Sequence, residues 1–492
     1  MKGPVPYPRQ QEAIDKMVSF VKSNSKKKGI FVYPVAFGKS IVIANVATKF
    51  PDKYFINICP NKELTLQNKK RYCSYGYEAS ICSASLGKKE LSQVVFGTIG
   101  TLKKYLSFFK DKDVVVLADE CQNSCLKGSQ LDKFIKGIKK CSVVGTTGTP
   151  VRLASGMNGT ELRMMNRMRD CFYSSIEDIV QISEVIKEGR WSKLLYEVED
   201  IDDKYLKLNT TGADYTVESL KKFSEANGLV DKAAAAVNKL IKEGRKSILV
   251  YMPFIKDAIE LEKKLNNAIA IHSDTPNIIR ERGVESFLKG DLEVLINCMI
   301  YVEGFDYPEL SAIVQARPTN SINQWYQSIG RLTRIHPLKK DGKVIDLSGN
   351  FNKFGKIEGL RFEDIPNYGW AMLDENENLL TNYPLVSKIR PTKQSLINAG
   401  IKKEKPKYIT SDFKFPWGKY KGRSLLELSK TKEAPKLLGY CSWLLKQHEK
   451  GDFILKESVY TPVKNYLENH AKNFTGKAKS TTIKLDIPSK LF

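Results

Sequence analysis

The chain has 492 residues, with 79 Lys and Arg against 55 Asp and Glu, a formal net charge of +24 and a pI near 9.4. This length predicts two or three domains, and the charge predicts a polyanionic partner, nucleic acid before acidic lipid. No apolar run approaches the roughly 20 residues that cross a bilayer, and the first residues, MKGPVPYPRQ, lack the apolar segment of a secretory signal. We therefore expect a soluble, cytoplasmic protein without a membrane partner.

Short apolar runs alternate with helical patterns along the first 350 residues. In chain order the runs are GIFVYPV, YFINICP, VVVLADE and CSVVGTT, then SILVYMP, NAIAIHS, VLINCMI, AIVQARP and KVIDLS. This alternation predicts α/β architecture with two parallel-sheet lobes covered by helices. The stretch from about residue 155 to 246 is polar and is predicted to be poor in strands and to connect the lobes.

Composition changes after the second group of runs. We expect a first lobe at 1–194, a second lobe at 195–355, an extension and linker at 356–407, a small basic α+β module at 408–470 and a basic tail at 471–492. Residues 385–492 contain 23 Lys and Arg against 9 Asp and Glu, a net charge of +14. More than half of the excess positive charge therefore lies in this last part of the chain.

The nine cysteines lack paired Cys-x-x-Cys spacing. We interpret them as reduced thiols, mostly in the core. The alternative is a metal cluster formed by Cys73, Cys82, Cys121 and Cys125.

The segment YPVAFGKSIVIA, residues 33–44, has the pattern of a strand end, a tight loop and a first helical turn. Backbone N–H groups and the helix dipole at such a junction attract an anion. Lys39 is the candidate for the β and γ phosphates of a nucleotide and Ser40 the candidate for Mg²⁺. Tyr33 stands where a GxxxxGKS loop has its first glycine, and Ala36 occupies another common glycine position, so an ordinary strand–turn–helix junction is the alternative. Alanine fits the loop unless the site demands a positive φ.

A second candidate group follows the strand VVVLADECQ. Asp119 and Glu120 are adjacent carboxylates at the end of an apolar strand, which is costly unless they meet a cation. Asp119 suits Mg²⁺, and Glu120 can orient and deprotonate an attacking water. The alternative is a pair of carboxylates that cap the next helix.

Together these segments make the chain resemble a superfamily 2 helicase or translocase over roughly residues 7–346. YPRQQEAI resembles the Q motif, CPNKELTLQ motif Ia, FGTIGTL motif Ib, DECQ motif II and TTGTP motif III. In that family Gln10 would read adenine and Gln122 would belong to the catalytic set. The nucleotide loop would comprise Pro34, Val35, Ala36, Phe37, Gly38, Lys39 and Ser40. The resemblance implies nucleic-acid contacts by Pro60, Gln67, Thr98, Thr101, Thr147 and Thr149.

The second lobe carries two further segments of this resemblance. VLINCMIYVEGFDYPEL resembles motif V, which implies roles for Asn297 at the strand and for Gly304 and Asp306 at the nucleotide. QWYQSIGRLTR resembles motif VI, with Gln327 at the nucleotide and Arg331 and Arg334 as arginine fingers. The two arginines are three residues apart, so on a helix they would share one face. Solvated surface arginines are the alternative interpretation.

The segment FKFPWGKYKGRSLLEL interleaves aromatic and basic residues. This pattern is typical of nucleic-acid binding, but the alternating aromatics also fit the buried face of a strand. The segment resembles a C-terminal module of exonuclease X-like proteins, which implies an accessory nucleic-acid-binding domain. The candidate contacts are Lys414, Trp417, Lys419, Lys421 and Arg423.

The expected activity is that of an ATP- and Mg²⁺-dependent DNA helicase or translocase that unwinds or branch-migrates forks and junctions. The motif order is similar to that of phage branch-migration helicases of the UvsW kind, which implies a monomer in the host cytoplasm that works with other replication or recombination proteins, including in repair. An RNA helicase, a restriction-type motor subunit and an ATP-gated nucleic-acid clamp without unwinding are the alternatives.

Overall fold

The computed structural model describes residues 4–23, 28–156, 159–210, 212–298, 307–366, 368–382, 391–395, 413–416, 418–429, 431, 433–449, 455 and 457–474. The chain divides into two compact units. The first unit comprises Met1–Ile365 and Trp370–Lys393, and the second, C-terminal unit comprises Pro366–Gly369 and Gln394–Phe492. Predicted site residues Gly304, Asp306 and Trp417 lie outside the described residues, as do the KKEKPK segment and residues 475–492.

The first sheet contains eight strands. They are β1 (Lys28–Val32), β2 (Tyr54–Ile58), β3 (Ser80–Ser83), β4 (Lys88–Lys89), β5 (Val94–Gly97), β6 (Asp113–Asp119), β7 (Lys140–Thr147) and β10 (Ser175–Ile179), while β8 (Val151–Gly156) and β9 (Gly159–Met164) form a separate hairpin. The order in the sheet is β10-β1-β7-β6-β2-β5-β3-β4, and every pair is parallel except β3 with β4. The valines of β6 and β7 are buried on both faces of the sheet, as a covered parallel sheet requires.

Seven α-helices accompany this sheet. They are α1 (Pro8–Lys22), α2 (Lys39–Thr48), α3 (Lys62–Ser74), α4 (Ile99–Leu102), α5 (Leu106–Phe109), α6 (Gln130–Lys136) and α7 (Ile182–Lys187). Helix α1 begins with Pro8, whose missing N–H costs nothing at that position, and buries Ala13, Ile14, Met17 and Val21 along one stripe. Helix α3 begins after Asn61, whose side chain accepts a hydrogen bond from the Leu64 N–H at 2.8 Å.

The second sheet has six parallel strands and its own helices. The strands are β11 (Leu194–Val198), β12 (Ile248–Met252), β13 (Ala268–Ile271), β14 (Val294–Cys298), β15 (Ala312–Gln315) and β16 (Gly342–Asp346), in the order β11-β16-β15-β12-β14-β13. The helices are α8 (Val217–Ala226), α9 (Leu229–Lys242), α10 (Ile255–Lys264), α11 (Asn277–Lys289), α12 (Ile322–Gly330) and α13 (Asn350–Phe354). The predicted fold class, α/β with two parallel-sheet lobes, is confirmed.

The prediction of a strand-poor stretch between residues 155 and 246 is wrong in part. Strand β10 lies there and completes the edge of the first sheet beside β1, and β11 pairs with β16 in the second sheet. The chain therefore passes from one sheet to the other between Ile179 and Leu194. Polar residues in both strands conceal the apolar pattern, because edge strands need less apolar sequence than central ones.

After the second sheet, β17 (Arg361–Ile365) and β18 (Gly369–Leu373) form a two-stranded sheet. The described part of the C-terminal unit contains helices α14 (Leu425–Ser429), α15 (Ala434–Glu449) and α16 (Glu457–Phe474) and a single β-bridge between Lys414 and Ser424. Its core includes Phe415, Leu437 and Leu444, all at most 1% exposed. The described residues of this unit are thus mainly helical, whereas an α+β module was expected.

All nine cysteines are free thiols and seven are buried, which confirms the interpretation of reduced core residues. Across the residues that the structure describes, no cluster of three His, Cys, Asp or Glu side chains could hold a metal ion, so the alternative of a cysteine cluster is wrong there. The same residues include no helix with the length and apolar character needed to cross a membrane.

Candidate nucleotide and nucleic-acid site

The candidate site lies at the carboxyl edge of the first sheet. Parallel pairing sets Val32 of β1 beside Thr147 of β7, and Asp119 of β6 beside Thr146. The loop after β1, the carboxylates after β6 and the threonines that end β7 therefore meet at one edge, which is where open α/β sheets bind their ligands.

The loop between β1 and α2 turns through two left-handed residues. Gly38 has a φ of 88° and caps α2, and Ala36 has a φ of 61°. The position of Ala36 does demand a positive φ, so the loop accepts alanine with backbone strain. A Cβ on Gly38 would lie 2.4 Å from Nε2 of Gln10, so this glycine is also required by close packing. The N–H groups of Lys39 and Ser40 are in the first turn of α2, where no earlier carbonyl of the helix accepts from them.

Gln10 and Tyr7 support this loop from α1. The buried Gln10 side chain donates to the Phe37 carbonyl at 2.7 Å and accepts from the Tyr7 N–H at 3.1 Å. The Tyr7 hydroxyl donates to the same carbonyl at 3.3 Å. The structure thus gives Gln10 a supporting contact with the loop, and recognition of adenine by this residue remains a prediction. Burial raises the pKa of Tyr7 to about 12, so its hydroxyl keeps its proton.

Lys39 links the loop to the carboxylates. Its Nζ lies 2.9 Å from Oε1 of Glu120 and 3.6 Å from Oδ1 of Asp119. Burial lowers the pKa of Lys39, but the charges of Glu120 and Asp119 outweigh it and the pKa rises above its ordinary value. Lys39 is therefore a permanent cation beside two carboxylates, and it neutralises charge that would otherwise be costly at the end of a buried strand.

Hydrogen bonds fix the orientation of both carboxylates. Asp119 accepts from Asn68 Nδ2 at 3.0 Å and from Thr146 Oγ1 at 3.2 Å. Glu120 accepts from Gln122 Nε2 at 2.7 Å, which gives the last residue of DECQ a defined role. Glu120 itself has a φ of 46°, a strained conformation that turns its side chain away from the strand direction.

The second lobe reaches this group through α12. Gln327 Nε2 lies 3.5 Å from Oε2 of Glu120, and the hydroxyl of Tyr326 accepts from the Val35 N–H at 3.1 Å. Gly330 faces the same loop, because a Cβ there would lie 2.9 Å from Cγ2 of Val35. Residues of motifs I, II and VI therefore meet at one seam between the lobes.

The predicted arginine fingers follow this contact, but not on one continuous helix. Helix α12 ends at Gly330, Arg331 begins a single 3₁₀ turn, and Arg334 is extended with a ψ of 134°. Both side chains are half-buried. The helical argument for a shared face is therefore wrong for Arg334, because the chain leaves the helix before it.

Ser40 and Asp119 supply the oxygen ligands that Mg²⁺ prefers. The Ser40 hydroxyl lies 3.1 Å from the hydroxyl of Tyr75, and Asp119 is oriented by Asn68 and Thr146. One hydroxyl and one carboxylate at the end of a phosphate loop match the small protein share of a magnesium site, in which phosphates and waters complete the octahedron. The residues present thus fit the ion.

The predicted strand-binding residues fall into two groups. Pro60 is exposed, and Gln67 and Thr98 are partly exposed, so all three can be reached from outside. Four side chains are at most 5% exposed and cannot touch a strand directly in this conformation: Thr101, Thr147, Thr149 and Asn297. Thr101 accepts from the Ala84 N–H and Thr147 from the Thr149 N–H, so these hydroxyls stabilise turns.

Sequence reasoning missed the residues that support the site. Asn68, Tyr75 and Thr146 orient the carboxylates and the serine, and Trp191 donates to the Val35 carbonyl at 2.9 Å. Thr146 and Tyr326 lie within the segments that resemble motifs III and VI, and Asn68 directly follows the segment that resembles motif Ia. The motif segments were therefore the signal that could have found these three residues.

In the C-terminal unit, the segment from Phe413 to Leu425 folds back on itself, with the Gly422 N–H donating to the Phe415 carbonyl at 2.7 Å. Phe415 and Tyr420 are buried, which favours the packing interpretation for these aromatics. Lys414, Lys419 and Lys421 are exposed, and Arg423, also exposed, pairs with Glu433 at 2.8 Å. The basic residues therefore form the outer face of the segment.

Comparison with known families agrees with this geometry. Residues 4–152 match the family described as type III restriction enzyme, res subunit, and residues 231–336 match the helicase conserved C-terminal domain. One match falls in each lobe, and together they include the seam residues Lys39, Glu120 and Gln327. The chain is thus similar to helicases in both lobes.

Individual proteins show the same similarity. A Saccharomyces cerevisiae protein named ATP-dependent helicase IRC3 is 24% identical over 393 residues, which cover 74% of this chain and 55% of the yeast protein. Among solved structures, a fragment of an HsdR subunit of a type I restriction enzyme from Vibrio vulnificus YJ016 has a TM-score of 0.54 at 17% identity, covering 72% of this chain and 67% of that one. The type ISP restriction-modification enzyme LlaBIII bound to DNA has a TM-score of 0.51 at 14% identity, covering 70% of this chain and 28% of the enzyme. The chain is similar to superfamily 2 helicases, and it spans about half of the length of the yeast relative.

Proposed function

We propose that this protein is an ATP-dependent DNA helicase or translocase that unwinds or branch-migrates forked and junction DNA. The observation that carries the proposal is the seam, where Gln327 of the second lobe lies 3.5 Å from Glu120, which in turn binds Lys39 of the phosphate loop. A nucleotide bound there would contact both lobes, so its hydrolysis would change how the lobes hold each other.

The residues divide the work of hydrolysis. Lys39 and the first N–H groups of α2 hold the phosphates. Glu120, oriented by Gln122 and Gln327, accepts the proton of the attacking water. Arg331 and Arg334 of the second lobe act as arginine fingers, which stabilise the charge on the transferring phosphoryl group. Ser40 and Asp119 would hold Mg²⁺, which would neutralise phosphate charge.

The Lys39→Ala variant tests the nucleotide site. We expect the nucleic-acid-stimulated ATPase to fall at least about 100-fold, because a charge aimed at the phosphates is lost. DNA binding without nucleotide should stay within twofold, since Lys39 is held by carboxylates inside the site. Lys49→Ala, which removes an exposed lysine at the other end of α2, is the control. Unchanged stimulated ATPase in Lys39→Ala would refute the assignment.

A panel of nucleic-acid substrates distinguishes a DNA helicase from an RNA helicase, and a protein that unwinds its substrate from one that only clamps it. DNA forks, four-way junctions, linear DNA duplexes and RNA duplexes are each assayed for ATPase and for strand displacement. Forked and junction DNA should stimulate turnover most and should be displaced. Stimulation by RNA alone would favour an RNA helicase, and turnover without displacement would favour an ATP-gated clamp.

A further candidate function is that of the motor subunit of a restriction system, because the HsdR fragment and LlaBIII, which share this fold, come from restriction enzymes. Translocation along linear duplex DNA without displacement, measured by removal of a triplex-forming strand, would support this candidate over the branch-migration helicase.

A further inference from the structure

We propose that helix α3 positions both magnesium ligands, with Asn68 acting on Asp119 and Tyr75 acting on Ser40. Asn68 Nδ2 donates to Oδ2 of Asp119 at 3.0 Å, and the Tyr75 hydroxyl lies 3.1 Å from the Ser40 hydroxyl. The inference deepens the proposed function and rests on it, because it concerns the metal that the nucleotide brings.

Helix geometry explains how one element reaches both ligands. Asn68 and Tyr75 are seven residues apart, which is close to two turns, so they lie on one face of α3 about 10 Å apart along its axis. Tyr75 is the C-cap residue with nearly helical dihedral angles, and side chains on a helix lean towards its N-terminus. The long tyrosine side chain therefore extends back towards the short asparagine side chain. The two polar groups reach Ser40 at the start of α2 and Asp119 at the end of β6.

Hydrogen bonds restrain the side-chain conformations of both proposed magnesium ligands, Ser40 and Asp119. Ser40 stands in the first turn of α2, and its hydroxyl shares a hydrogen bond of 3.1 Å with the Tyr75 hydroxyl, which restrains its position. Asp119 stands at the end of β6, and Asn68 holds one carboxylate oxygen while Thr146 holds the other. Hydrogen bonds of this kind to the ligands of a metal tune its affinity by about 10- to 100-fold.

The test measures metal binding directly, by electron paramagnetic resonance of Mn²⁺ titrated into the full chain with a non-hydrolysable ATP analogue. Asn68→Ala and Tyr75→Phe should each weaken Mn²⁺ affinity about 10-fold. Affinity for the same analogue in EDTA should change less than twofold, because neither residue is placed on the phosphates. A structural role alone would lower both affinities together.

Two variants on the same layer of helices serve as controls. Tyr72→Phe removes a hydroxyl from α3 itself, where the ring packs against Tyr77 and Phe96. Asn45→Ala removes an amide from α2 that donates to the Ile41 carbonyl at 2.9 Å. Both controls should bind Mn²⁺ like the parent protein.

Mn²⁺ affinities within twofold of the parent for both Asn68→Ala and Tyr75→Phe would overturn the inference and leave the proposed function intact. If the parent protein does not bind the ATP analogue, either with Mn²⁺ or in EDTA, the proposed function is wrong, and the inference that rests on it is wrong too.

Discussion

At Ala36 an L-amino acid occupies a conformation that favours glycine, with a φ of 61°. The left-handed region costs a residue with a Cβ about 1–2 kcal/mol, and a β-branched side chain more. We expect Ala36→Gly to keep or raise the free energy of unfolding, by up to about 1 kcal/mol, since relief of strain is partly offset by greater freedom of the unfolded chain. Ala36→Val should lower it by more than about 1 kcal/mol. Thermal and denaturant unfolding measure both effects.

The matched control for Ala36 is Ala47, which lies near the end of α2. Glycine in a helix costs about 1 kcal/mol relative to alanine, so Ala47→Gly should destabilise the protein. Replacement of alanine by glycine should therefore lower the free energy of unfolding at Ala47 but not at Ala36. Equal destabilisation at both would contradict the assigned strain.

Lys339 gives the stability of the second lobe a dependence on pH. Burial first, and the charge of Arg334 second, lower the pKa of Lys339 to about 8, while Asp341 opposes them. Below pH 8 Lys339 is charged in both the folded and the unfolded chain, so burial of this charge lowers the free energy of unfolding by its full amount. Between pH 8 and about 10.4 the folded chain releases this proton first, and the free energy of unfolding rises with pH.

Lys339→Gln removes this charge and keeps a donor for the Leu332 carbonyl, which Lys339 Nζ contacts at 2.9 Å. We expect the variant to be more stable than the parent at pH 7, on the order of 1 kcal/mol after discounting for solvent. The difference should shrink to nothing near pH 10.5. Unfolding transitions at pH 7, 9 and 10.5 measure it, and a difference that does not change with pH would exclude this cause.

Among the elements, α1 depends on an ion-pair network with β10. Asp178, 1% exposed in its side chain, lies 3.0 Å from Arg9 and 2.6 Å from Lys16, and Arg9 also contacts Glu184 at 2.9 Å. Removal of one partner from a buried network costs about 3–5 kcal/mol. We expect Asp178→Ala to lower the free energy of unfolding by this amount and to speed amide exchange throughout α1. Hydrogen–deuterium exchange followed by mass spectrometry locates the change.

The comparison for Asp178 is Asp15→Ala on the exposed face of α1, which removes a contact with Gln11 only. Exposed substitutions of this kind stay within about 0.5 kcal/mol. Similar losses from both variants would show that α1 is held by its apolar stripe alone. Because α1 carries Gln10, nucleotide affinity should fall in Asp178→Ala and not in Asp15→Ala.

This network also explains why β10 escaped prediction. The segment SIEDI contains Glu177 and Asp178, which break the apolar pattern of a buried strand. Asp178 is buried because Arg9 and Lys16, more than 160 residues earlier, neutralise it. No local pattern contains such a pairing. The contact between Asn68 and Asp119 was hidden for the same reason, since it joins residues that are 51 apart in sequence.

For the whole molecule, the order of strands and motifs was predictable. Alternating apolar runs imply parallel strands, and parallel strands place residues that follow their carboxyl ends at one edge. Lys39 was predicted directly after one strand and Asp119 at the end of another, and the structure places Lys39 Nζ 3.6 Å from Oδ1 of Asp119, with Thr147 at the same edge. The seam was not derivable in detail, because the contact between Tyr326 and Val35 depends on how two separately folded sheets pack.

The charge of the C-terminal unit makes a further prediction for the whole chain. Lys414, Lys419 and Lys421 are exposed on one folded-back segment, and phosphate contacts by such residues release counterions. Neutralising all three to alanine should reduce the slope of log affinity against log salt by about 2 for single-stranded DNA, at about 0.7 per lost contact. Fluorescence anisotropy of a labelled strand between 50 and 300 mM salt measures the slope.

The decisive comparison is a variant of equal charge change in the other unit. Lys221, Lys222 and Lys264 lie on α8 and α10 and each pairs with a carboxylate, so their replacement by alanine removes the same three charges from a surface with compensating partners. If the whole field of the protein attracts DNA, both triple variants should lose slope equally. If the folded-back segment binds phosphates, only the variant of Lys414, Lys419 and Lys421 should lose slope. The ATPase activity of that variant without DNA should equal that of the parent protein. Equal slopes in both variants and the parent would remove the segment from the nucleic-acid interface and leave its lysines as solvated surface charge.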